Sequence, residues 1–282
     1  MKVAVVSDTT CDLPAHLVRE LGIHVVPVPI HVGQRTYHDR TDLTRRAFYE
    51  LMPSLPDLPQ TSAPAPGVFE QAYTRLLQTA DAVVSIHAAS TLSGIYHAAC
   101  VGAAAVDEAR IAVVDSGQLS MGLGWAVLAA AQASRNGAGA EAVQAKIAET
   151  LKQVRVLAIF NTMKYLRKGG RVSWMRANTG ELLRFKPMLE LRDGEVIPRG
   201  RIRTWSKAAA WLAAQVRQLG TLRRLALMHT NCPACARDLK ERLSDALPAE
   251  PPLIVDATPV IGAHVGPHAL GIAALLEGKG QE

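Results

Sequence analysis

Three short stretches carry hydroxyl, carboxylate and imidazole groups at positions where they could support chemistry. They are "STLSG" (90–94), "DSGQLSMG" (115–122) and "HVGPH" (264–268). A catalytic serine needs a histidine to take its proton and a carboxylate to orient that histidine. Ser93, His264 and Asp115 supply these three types, so a serine esterase or acyltransferase is one hypothesis. The G-x-S-x-G turn of many hydrolases is not matched, because Thr91 stands where the first glycine belongs.

The same serine could instead hold an anion. Ser93 and Gly94 follow a short apolar run and precede a helical pattern. A chain that turns from a strand into a helix presents a hydroxyl and free backbone N–H groups at that point, which suits a carboxylate or phosphate. Ordinary helix capping accounts equally well for any single serine. The local sequence leaves these roles open.

The cysteines suggest two further kinds of site. "CPAC" (232–235) has the C-x-x-C spacing of redox enzymes and of zinc sites. A zinc site needs two more ligands; His229 is close in sequence, and a second C-x-x-C is missing. We therefore expect Cys232 and Cys235 to be two small buried residues at a helix start, and no metal or cofactor. Four scattered cysteines fit a reducing compartment better than a disulfide framework.

The first half of the chain alternates short apolar runs with helical patterns, which indicates parallel strands joined by crossover helices. Strands are predicted at 2–8, 23–32, 81–88 and 109–116, and helices at about 93–107 and 121–136. The two prolines within 23–32 predict an edge strand or an irregular one there. Asp12 is predicted to cap the helix that follows Pro14. Ligands of such sheets bind where the strands end and the helices begin. The polar clusters "SDTT" (7–10), "STLSG" and "DSGQLSMG" all fall at this edge.

After about residue 150 the pattern changes. A strand is predicted at 155–160 and a hairpin at 186–203, in which Asp193-Gly194 fits a type I′ turn. Antiparallel pairing therefore replaces the crossovers. We predict an α/β fold with an N-terminal open parallel α/β/α sheet domain (1–150) and a C-terminal α/β domain (151–282) with a largely antiparallel sheet.

Composition and charge narrow the classes of function. Of 282 residues, 49% are hydrophobic and 20% charged, which is typical of a globular protein. Neither a membrane span nor a signal peptide is found, so a cytoplasmic location is expected.

The positive charge of the chain is concentrated in one segment. Between Lys164 and Arg203 there are eleven Lys or Arg and four Asp or Glu, and this segment carries the positive excess of a chain of net charge +6. Such a surface can receive phosphates, anionic lipid or an acidic protein. Aromatic residues are too sparse there to predict specific nucleic-acid binding.

Seven motifs together resemble the DegV family over essentially the whole chain. They are "SDTTCDLP" (7–14), "TSAPAP" (61–66), "STLSGIYHA" (90–98), "VVDSGQLSMGLG" (113–124), "YLRKGGRV" (165–172), "KPML" (186–189) and "IGAHVGPHALG" (261–271), in the family's order and at about its spacing. The resemblance implies a two-domain, non-catalytic protein that binds a long-chain fatty acid in a tunnel between the domains. It also implies a partner, a separate fatty acid kinase that converts the bound lipid to acyl phosphate, and transient contact with a membrane surface.

The resemblance also assigns residues. Thr61, Ser62, Ser93, Gly94 and His264 match positions that hold the fatty acid carboxylate. Asp8, Thr9 and Thr10 match positions that line the same region. Arg171, and more weakly Arg203, match surface arginines linked to kinase docking or to the phosphorylated head group.

This chain departs from the family pattern at two places. His268 stands where the family usually has glycine. His87-Ala88 and Gly94-Ile95-Tyr96 replace the more common Ser-Ser and Gly-Thr-Tyr. These differences bear on details of the pocket, including its preference for chain length.

Overall fold

The computed structural model describes residues 1–39, 41–170 and 185–278. A four-stranded parallel sheet forms the N-terminal part, with the order β2-β1-β6-β7. Its strands are β1 (Val3–Asp8), β2 (His24–Val26), β6 (Ala82–His87) and β7 (Ile111–Asp115). The β1 and β6 strands are apolar and almost fully buried, as expected when helices cover both faces of a parallel sheet. The predicted parallel α/β sheet is confirmed.

The helices of this part follow the predicted order. They are α1 (Ala15–Glu20), α2 (Arg45–Leu51), α3 (Pro66–Leu76), α4 (Ile95–Ala104), α5 (Met121–Arg135) and α6 (Ala140–Gln153). The prediction for Asp12 is wrong. Pro14 is the N-cap of α1, whereas Asp12 has a left-handed backbone and a carboxylate that bonds to Ser120 Oγ and to the backbone N–H of Thr258. Asp12 therefore joins distant segments, because these buried partners satisfy its oxygens better than a solvent-facing cap would.

The predicted strand at 23–32 is two strands in two sheets. Beyond β2, the strands β3 (Pro29–Val32), β4 (Arg35–His38) and β5 (Gln60–Thr61) form a small antiparallel sheet of order β4-β3-β5. Pro27 and Pro29 lack the backbone N–H that a continuous ladder needs, so the chain leaves the parallel sheet between them. The short β5 strand places Thr61 beside Ile30.

A six-stranded sheet of order β10-β9-β8-β13-β11-β12 forms the C-terminal part. Its strands are β8 (Val154–Ile159), β9 (Lys186–Arg192), β10 (Glu195–Ile202), β11 (Leu222–His229), β12 (Leu253–Asp256) and β13 (Leu270–Leu276). Every pair except β11 with β12 is antiparallel, as predicted. Asp193 (φ 49°) and Gly194 (φ 78°) form the predicted hairpin turn. The central strand β13 lies in the glycine-rich end of the chain, where no strand was predicted.

Helices α7 (Lys164–Gly169), α8 (Trp205–Gln218), α9 (Pro233–Arg242) and α10 (Pro259–Val265) complete the described chain. Helix α7 ends at Gly170, which has a left-handed backbone (φ 68°) that glycine adopts at little cost. Among the described residues, no helix is both long and apolar enough to span a bilayer.

Helix α5 joins the two parts into a shared core. Ten of its fifteen residues are buried, and they pack with Val5 and Ile86 of the parallel sheet and with Val156 and Ala273 of the antiparallel sheet. The indole N–H of Trp125 donates to the carbonyl of Ala273 at 2.9 Å. This packing fixes the two sheets relative to one another and so sets the shape of the space between them.

Cys232 and Cys235 lie at a helix start as predicted, but the sequence analysis did not foresee the bond between them. Cys232 and Cys235 are joined by a disulfide at the start of α9, whereas Cys11 and Cys100 are free. The first turn of a helix brings residues three apart close together, and here the Cα atoms are 5.3 Å apart.

Candidate functional site

A cavity of about 200 Å³ lies between the two sheets. On one side it is bounded by the segments that follow β1, β6 and β7, at the edge where the sequence places its polar clusters. On the other side lie the faces of β8, β9, β11 and β13 and the helices α7 and α10. The lining is mostly apolar and includes Leu92, Leu119, Val156, Ala158, Phe160, Leu166, Leu189, Leu191, Val196, Met228, Val260, Ile261, Val265, Ala269 and Leu270. Such a space suits a hydrocarbon chain.

Thr61 and His264 form a polar pair in the wall of this cavity. The Oγ1 atom of Thr61 lies 2.8 Å from Nε2 of His264, and both residues line the cavity. Thr61 comes from β5 and His264 from the last turn of α10. The backbone of Gly169 lies so close to the imidazole that a Cβ there would be 2.7 Å from Nδ1. The ring is therefore held between β5 and α7.

Helix α10 has a fixed position because Tyr49 lies beneath its start. The Tyr49 hydroxyl donates to the carbonyl of Ala257 at 2.9 Å, and a Cβ at Gly262 would clash with the phenol ring. Burial raises the pKa of Tyr49 well above its ordinary value, so the phenol stays protonated and remains a donor. Thr258 caps the helix by accepting the N–H of Val260. These contacts set the position of His264.

Ser93 lines the same cavity at the start of α4. Its Oγ accepts the N–H of Ile95 at 3.4 Å, a long bond that leaves the hydroxyl proton available as a donor. Gly94 is the N-cap residue of α4, and its N–H donates to none of the described residues. A hydroxyl and a helix N-terminus thus meet beside the cavity, which suits an anionic group.

Thr10 also lines the cavity, and Asp8 holds it in place. The Oδ1 atom of Asp8 accepts both the backbone N–H of Thr10 at 3.0 Å and its hydroxyl at 2.5 Å. The other carboxylate oxygen lies 2.9 Å from Nδ1 of His87, whose Nε2 is 2.7 Å from Ser85 Oγ. Asp8, Ser85 and His87 are completely buried. This chain of bonds resembles a catalytic triad in its order of groups, but Ser85 lies inside the sheet and does not line the cavity.

Four of the assigned residues are not part of the cavity lining: Asp8, Thr9, Ser62 and Gly94. The hydroxyl of Ser62 bonds to His31 Nε2 at 2.9 Å on the exposed side of the small sheet, so the structure does not place it in the cavity lining. Side chains alternate along β5 and its extension, so Thr61 and Ser62 point to opposite sides. Thr9 is buried, and its Oγ1 accepts the N–H of Val28 at 3.3 Å. Asp8 acts on the cavity through Thr10.

The triad of the esterase hypothesis is not assembled. His264 Nε2 bonds to Thr61, and Ser93 Oγ bonds to the backbone of Ile95. The carboxylate of Asp115 accepts the N–H groups of Ser90 and Gly117, which fixes the loop after β7 instead of orienting a histidine. The three residues share one region of the fold, but their hydrogen bonds serve other partners.

The sequence analysis missed four polar residues of the cavity lining. They are Ser120, Glu190, His229 and Thr230. Ser120 lies in the "DSGQLSMG" cluster, so its position at the sheet edge was a usable signal. The Glu190 carboxylate is buried, and ion pairs with Arg192 (2.6 Å) and Arg199 neutralise its charge. Without these ion pairs, the negative charge of Glu190 would repel an anionic ligand. Arg192 and Arg199 therefore make the cavity less unfavourable for such a ligand.

The basic segment is described only in part. Arg171 lies outside the described residues, so its assignment stays a prediction. Arg203 is exposed, with its guanidinium 5.4 Å from the centre of the Phe185 ring. Lys164, Arg167 and Lys168 are exposed on α7, the helix whose last residue, Gly169, touches His264. Positive charge is thus present on the surface next to the polar pair.

Comparison with known proteins identifies the family. The model of the family described as "Uncharacterised protein, DegV family" matches residues 2–277. This chain belongs to the DegV family. A DegV domain-containing protein of Streptomyces coelicolor is 36% identical over 276 residues, covering 96% of this chain and 97% of that protein. The family assignment made from the seven motifs is therefore confirmed.

Solved DegV structures share the fold. A fatty-acid-binding DegV family protein of Thermus thermophilus superimposes with a TM-score of 0.90 at 30% identity, covering 98% of this chain and all of that one. DegV of Bacillus subtilis, described as a fatty acid binding protein, gives 0.88 at 31% identity, with 98% and 100% coverage. DegV relatives of this fold therefore bind fatty acids.

Proposed function

We propose that this DegV protein binds one long-chain fatty acid, with its tail in the cavity between the sheets and its carboxylate at Thr61, Ser93 and Gly94, where His264 positions Thr61. The observation that supports this most strongly is the bonded Thr61–His264 pair, which lies with Ser93 in the wall of a mostly apolar cavity. The fatty-acid-binding relatives from Thermus thermophilus and Bacillus subtilis support the same ligand class.

The energetics favour such a ligand. Each methylene removed from water contributes about 0.8 kcal/mol, so a chain of sixteen to eighteen carbons binds strongly in an apolar space. A carboxylate loses its hydration there, and each hydrogen bond to a charged group returns roughly 1.5–3 kcal/mol. Neutral donors supply these bonds without a fixed positive charge that would also retain the head group tightly.

The Thr61–His264 bond sets the direction of the donors. When Nε2 of His264 carries the proton, it donates to Thr61 Oγ1, and the threonine proton is then available to the carboxylate. The hydroxyl of Ser93 and the N–H of Gly94 are the next donors. In this arrangement His264 positions Thr61, while Thr61, Ser93 and Gly94 contact the ligand. No group in it is placed to attack an acyl carbon.

Identification of the co-purified lipid tests the proposal. Native mass spectrometry of the purified protein should show one bound fatty acid per chain, and solvent extraction should release it. Delipidated protein should take up palmitate or oleate again with a stoichiometry of one. Lipid-free protein that ignores both fatty acids would contradict the proposal. Turnover of an acyl ester that is lost on Ser93→Ala would instead support the esterase hypothesis.

We further propose that the bound fatty acid is presented to a separate fatty acid kinase. The exposed cations Lys164, Arg167 and Lys168 on α7, beside His264, support a surface that receives an acidic protein or a phosphorylated head group. Arg171 and Arg203 belong to the same proposal. A transient membrane contact and a cytoplasmic location stay predictions of the sequence.

Charge reversal tests the presentation step. With a fatty acid kinase and ATP, Arg167→Glu and Arg171→Glu should lower the rate of acyl phosphate formation and leave fatty acid affinity unchanged. Lys207→Glu, an exposed position on α8, is the matched control and should behave as the unaltered protein. A parallel loss of fatty acid affinity would contradict the docking role.

A further inference from the structure

A second cluster of reactive groups lies outside the lipid cavity. The Sγ atoms of Cys232 and Cys235 and a ring nitrogen of His268 all lie within 4.8 Å of one another. The cysteines occupy the first turn of α9, and His268 comes from the loop between α10 and β13. Two segments that are distant in sequence therefore bring two sulfur ligands and one nitrogen ligand together.

The backbone holds this cluster in place. His268 N donates to the carbonyl of Thr230 at 2.8 Å, and Thr230 N donates to the carbonyl of Ala269 at 3.1 Å. The hydroxyl of Thr230 also donates to the carbonyl of Gly266 and accepts the N–H of Ala269. Four hydrogen bonds thus tie the loop of His268 to the segment that leads into Cys232. Because these backbone segments are already held together, the backbone needs little rearrangement to bind an ion.

His268, and not His229, is the third ligand of this cluster. The Nδ1 atom of His229 accepts the N–H of Cys232 at 3.4 Å and lies 3.2 Å from a carboxylate oxygen of Asp256. The Nδ1 atom of His229 is therefore occupied by contacts with the Cys232 backbone and Asp256. His268 is exposed, which gives an ion a path from solvent.

The chemistry of the donor set selects the ion. Two thiolates and an imidazole are soft or borderline ligands, which suit zinc and exclude magnesium and calcium. Ligand atoms around a tetrahedral zinc are separated by roughly 3.5 Å, so the two sulfur atoms have to part once the disulfide is reduced, while all three ligand atoms already lie within 4.8 Å of one another. Three protein ligands leave the fourth position to water.

We propose that the reduced protein binds one zinc ion through Cys232, Cys235 and His268, and that the disulfide is the metal-free form of the same site. A dithiol or phosphine reductant supplies two electrons, the S–S bond breaks, and two protons give two thiols. Zinc then displaces both thiol protons and forms two Zn–S bonds and one Zn–N bond. Oxidation by a small disulfide reverses these steps and releases the ion.

Cobalt titration of the full chain tests this site. Protein reduced with a phosphine, freed of reductant and kept under argon, should bind one Co²⁺ with a thiolate-to-cobalt charge-transfer band and tetrahedral visible bands. Added Zn²⁺ should displace the cobalt, and both the charge-transfer band and the visible bands should disappear. Cys232→Ser should lose the charge-transfer band, whereas Cys100→Ser, which alters a free cysteine elsewhere, should keep it. Oxidised protein should bind no cobalt.

A substitution at His268 tests the nitrogen ligand of the proposed site. His268 has a left-handed backbone (φ 59°), which glycine adopts readily, so His268→Gly removes the imidazole without disturbing the loop. We expect it to weaken zinc binding at least about tenfold, the loss seen even for groups that only support a ligand. A reduced protein without the charge-transfer band, or His268→Gly with unchanged zinc affinity, would overturn the proposal. None of these measurements depends on bound lipid.

Discussion

The Nε2 atom of His264 lies 2.8 Å from the Oγ1 atom of Thr61, although 203 positions separate the two residues in the chain. One residue ends a two-residue strand and the other lies in the last turn of a short helix. Neither element would hold its position alone, since a two-residue strand and a seven-residue helix are stable only through packing. The pair therefore depends on the assembled fold.

Removal of the Thr61 hydroxyl tests the role of this pair. Thr61→Val keeps the shape of the side chain and removes one donor to the carboxylate. We expect fatty acid affinity to fall about 10- to 100-fold, which corresponds to the loss of one charge-assisted hydrogen bond of roughly 1.5–3 kcal/mol. Ser93→Ala should have a similar effect. Displacement of a fluorescent fatty acid measures both.

Ser62→Ala is the matched control for this experiment. Its hydroxyl bonds to His31 outside the cavity lining, so affinity should stay unchanged. A loss at Ser62→Ala equal to that at Thr61→Val would favour the assignment made from the family resemblance over the geometry of the cavity.

His87→Leu tests the buried chain that orients Thr10. The substitution removes the partner of a carboxylate that is fully buried, Asp8, and the cost of breaking such a pair is roughly 3–5 kcal/mol in the free energy of unfolding. Urea denaturation measures this change. His97→Leu, at an exposed position on α4, should change the free energy of unfolding by no more than about 0.5 kcal/mol. If His87→Leu and His97→Leu changed the free energy of unfolding equally, the bond between His87 and Asp8 would not contribute to stability.

Gly194→Ala tests the contact between the β9–β10 turn and the loops of the parallel sheet. Gly194 N donates to the carbonyl of Gly117 at 2.9 Å, and its carbonyl accepts the hydroxyl of Thr91 at 2.5 Å. A Cβ at Gly194 would lie 2.9 Å from Thr91 Oγ1, on top of the strain of a positive φ. Since this hairpin forms part of the cavity wall, we expect faster release of bound fatty acid as well as lower stability.

Gly22→Ala is the control that separates the backbone strain of a positive φ from the steric contact with Thr91. Gly22 also has a positive φ (63°), but a Cβ there would meet nothing within 4 Å. Both variants should lose about 1–2 kcal/mol from backbone strain. Only Gly194→Ala should also accelerate fatty acid release, and identical release rates would contradict a role of the turn contact.

Alkaline titration tests the two buried tyrosines. Burial raises the pKa of Tyr49 and of Tyr73 above the ordinary value of 10.0. Folding thus favours the neutral phenols, so their contribution to stability is complete below pH about 10 and is lost as the pH rises further. We expect tyrosinate absorbance to show fewer than five ionised tyrosines before unfolding, with the remainder appearing together with the unfolding transition. Ionisation of all five in the folded protein would contradict this burial.

Much of the fold follows from local sequence signals. The runs at 2–8, 81–88 and 109–116 each contain a short continuous apolar segment, which is typical of a strand covered on both faces, and they form β1, β6 and β7. Asp193-Gly194 supplies two residues that tolerate a positive φ, so the hairpin turn was predictable. Where prolines interrupt the pattern, as at 27 and 29, periodicity did not show that the chain moves to another sheet.

The end of the chain shows the opposite case. Strand β13 contains glycine and alanine and lies centrally in the six-stranded sheet, where neighbours on both sides exclude water. Six of its seven residues are buried, so this strand lacks the alternation of apolar and polar residues by which a half-exposed strand is predicted. The disulfide and the approach of His268 to the cysteines were equally hidden, because they depend on where two loops meet.

For the binding site, local sequence patterns were enough to predict the residue types and their place at the ends of strands, and the ordered motifs identified the family. The tertiary structure decided which of those residues share one space. Thr61 and Ser62 are neighbours in the chain, yet a strand turns alternate side chains to opposite sides, so only Thr61 reaches His264 and the cavity. The distance between Thr61 and His264, which are 203 positions apart, is set by the packing of β5 and α10 against the core that contains Ile30, Tyr49 and Val260, which no local pattern encodes.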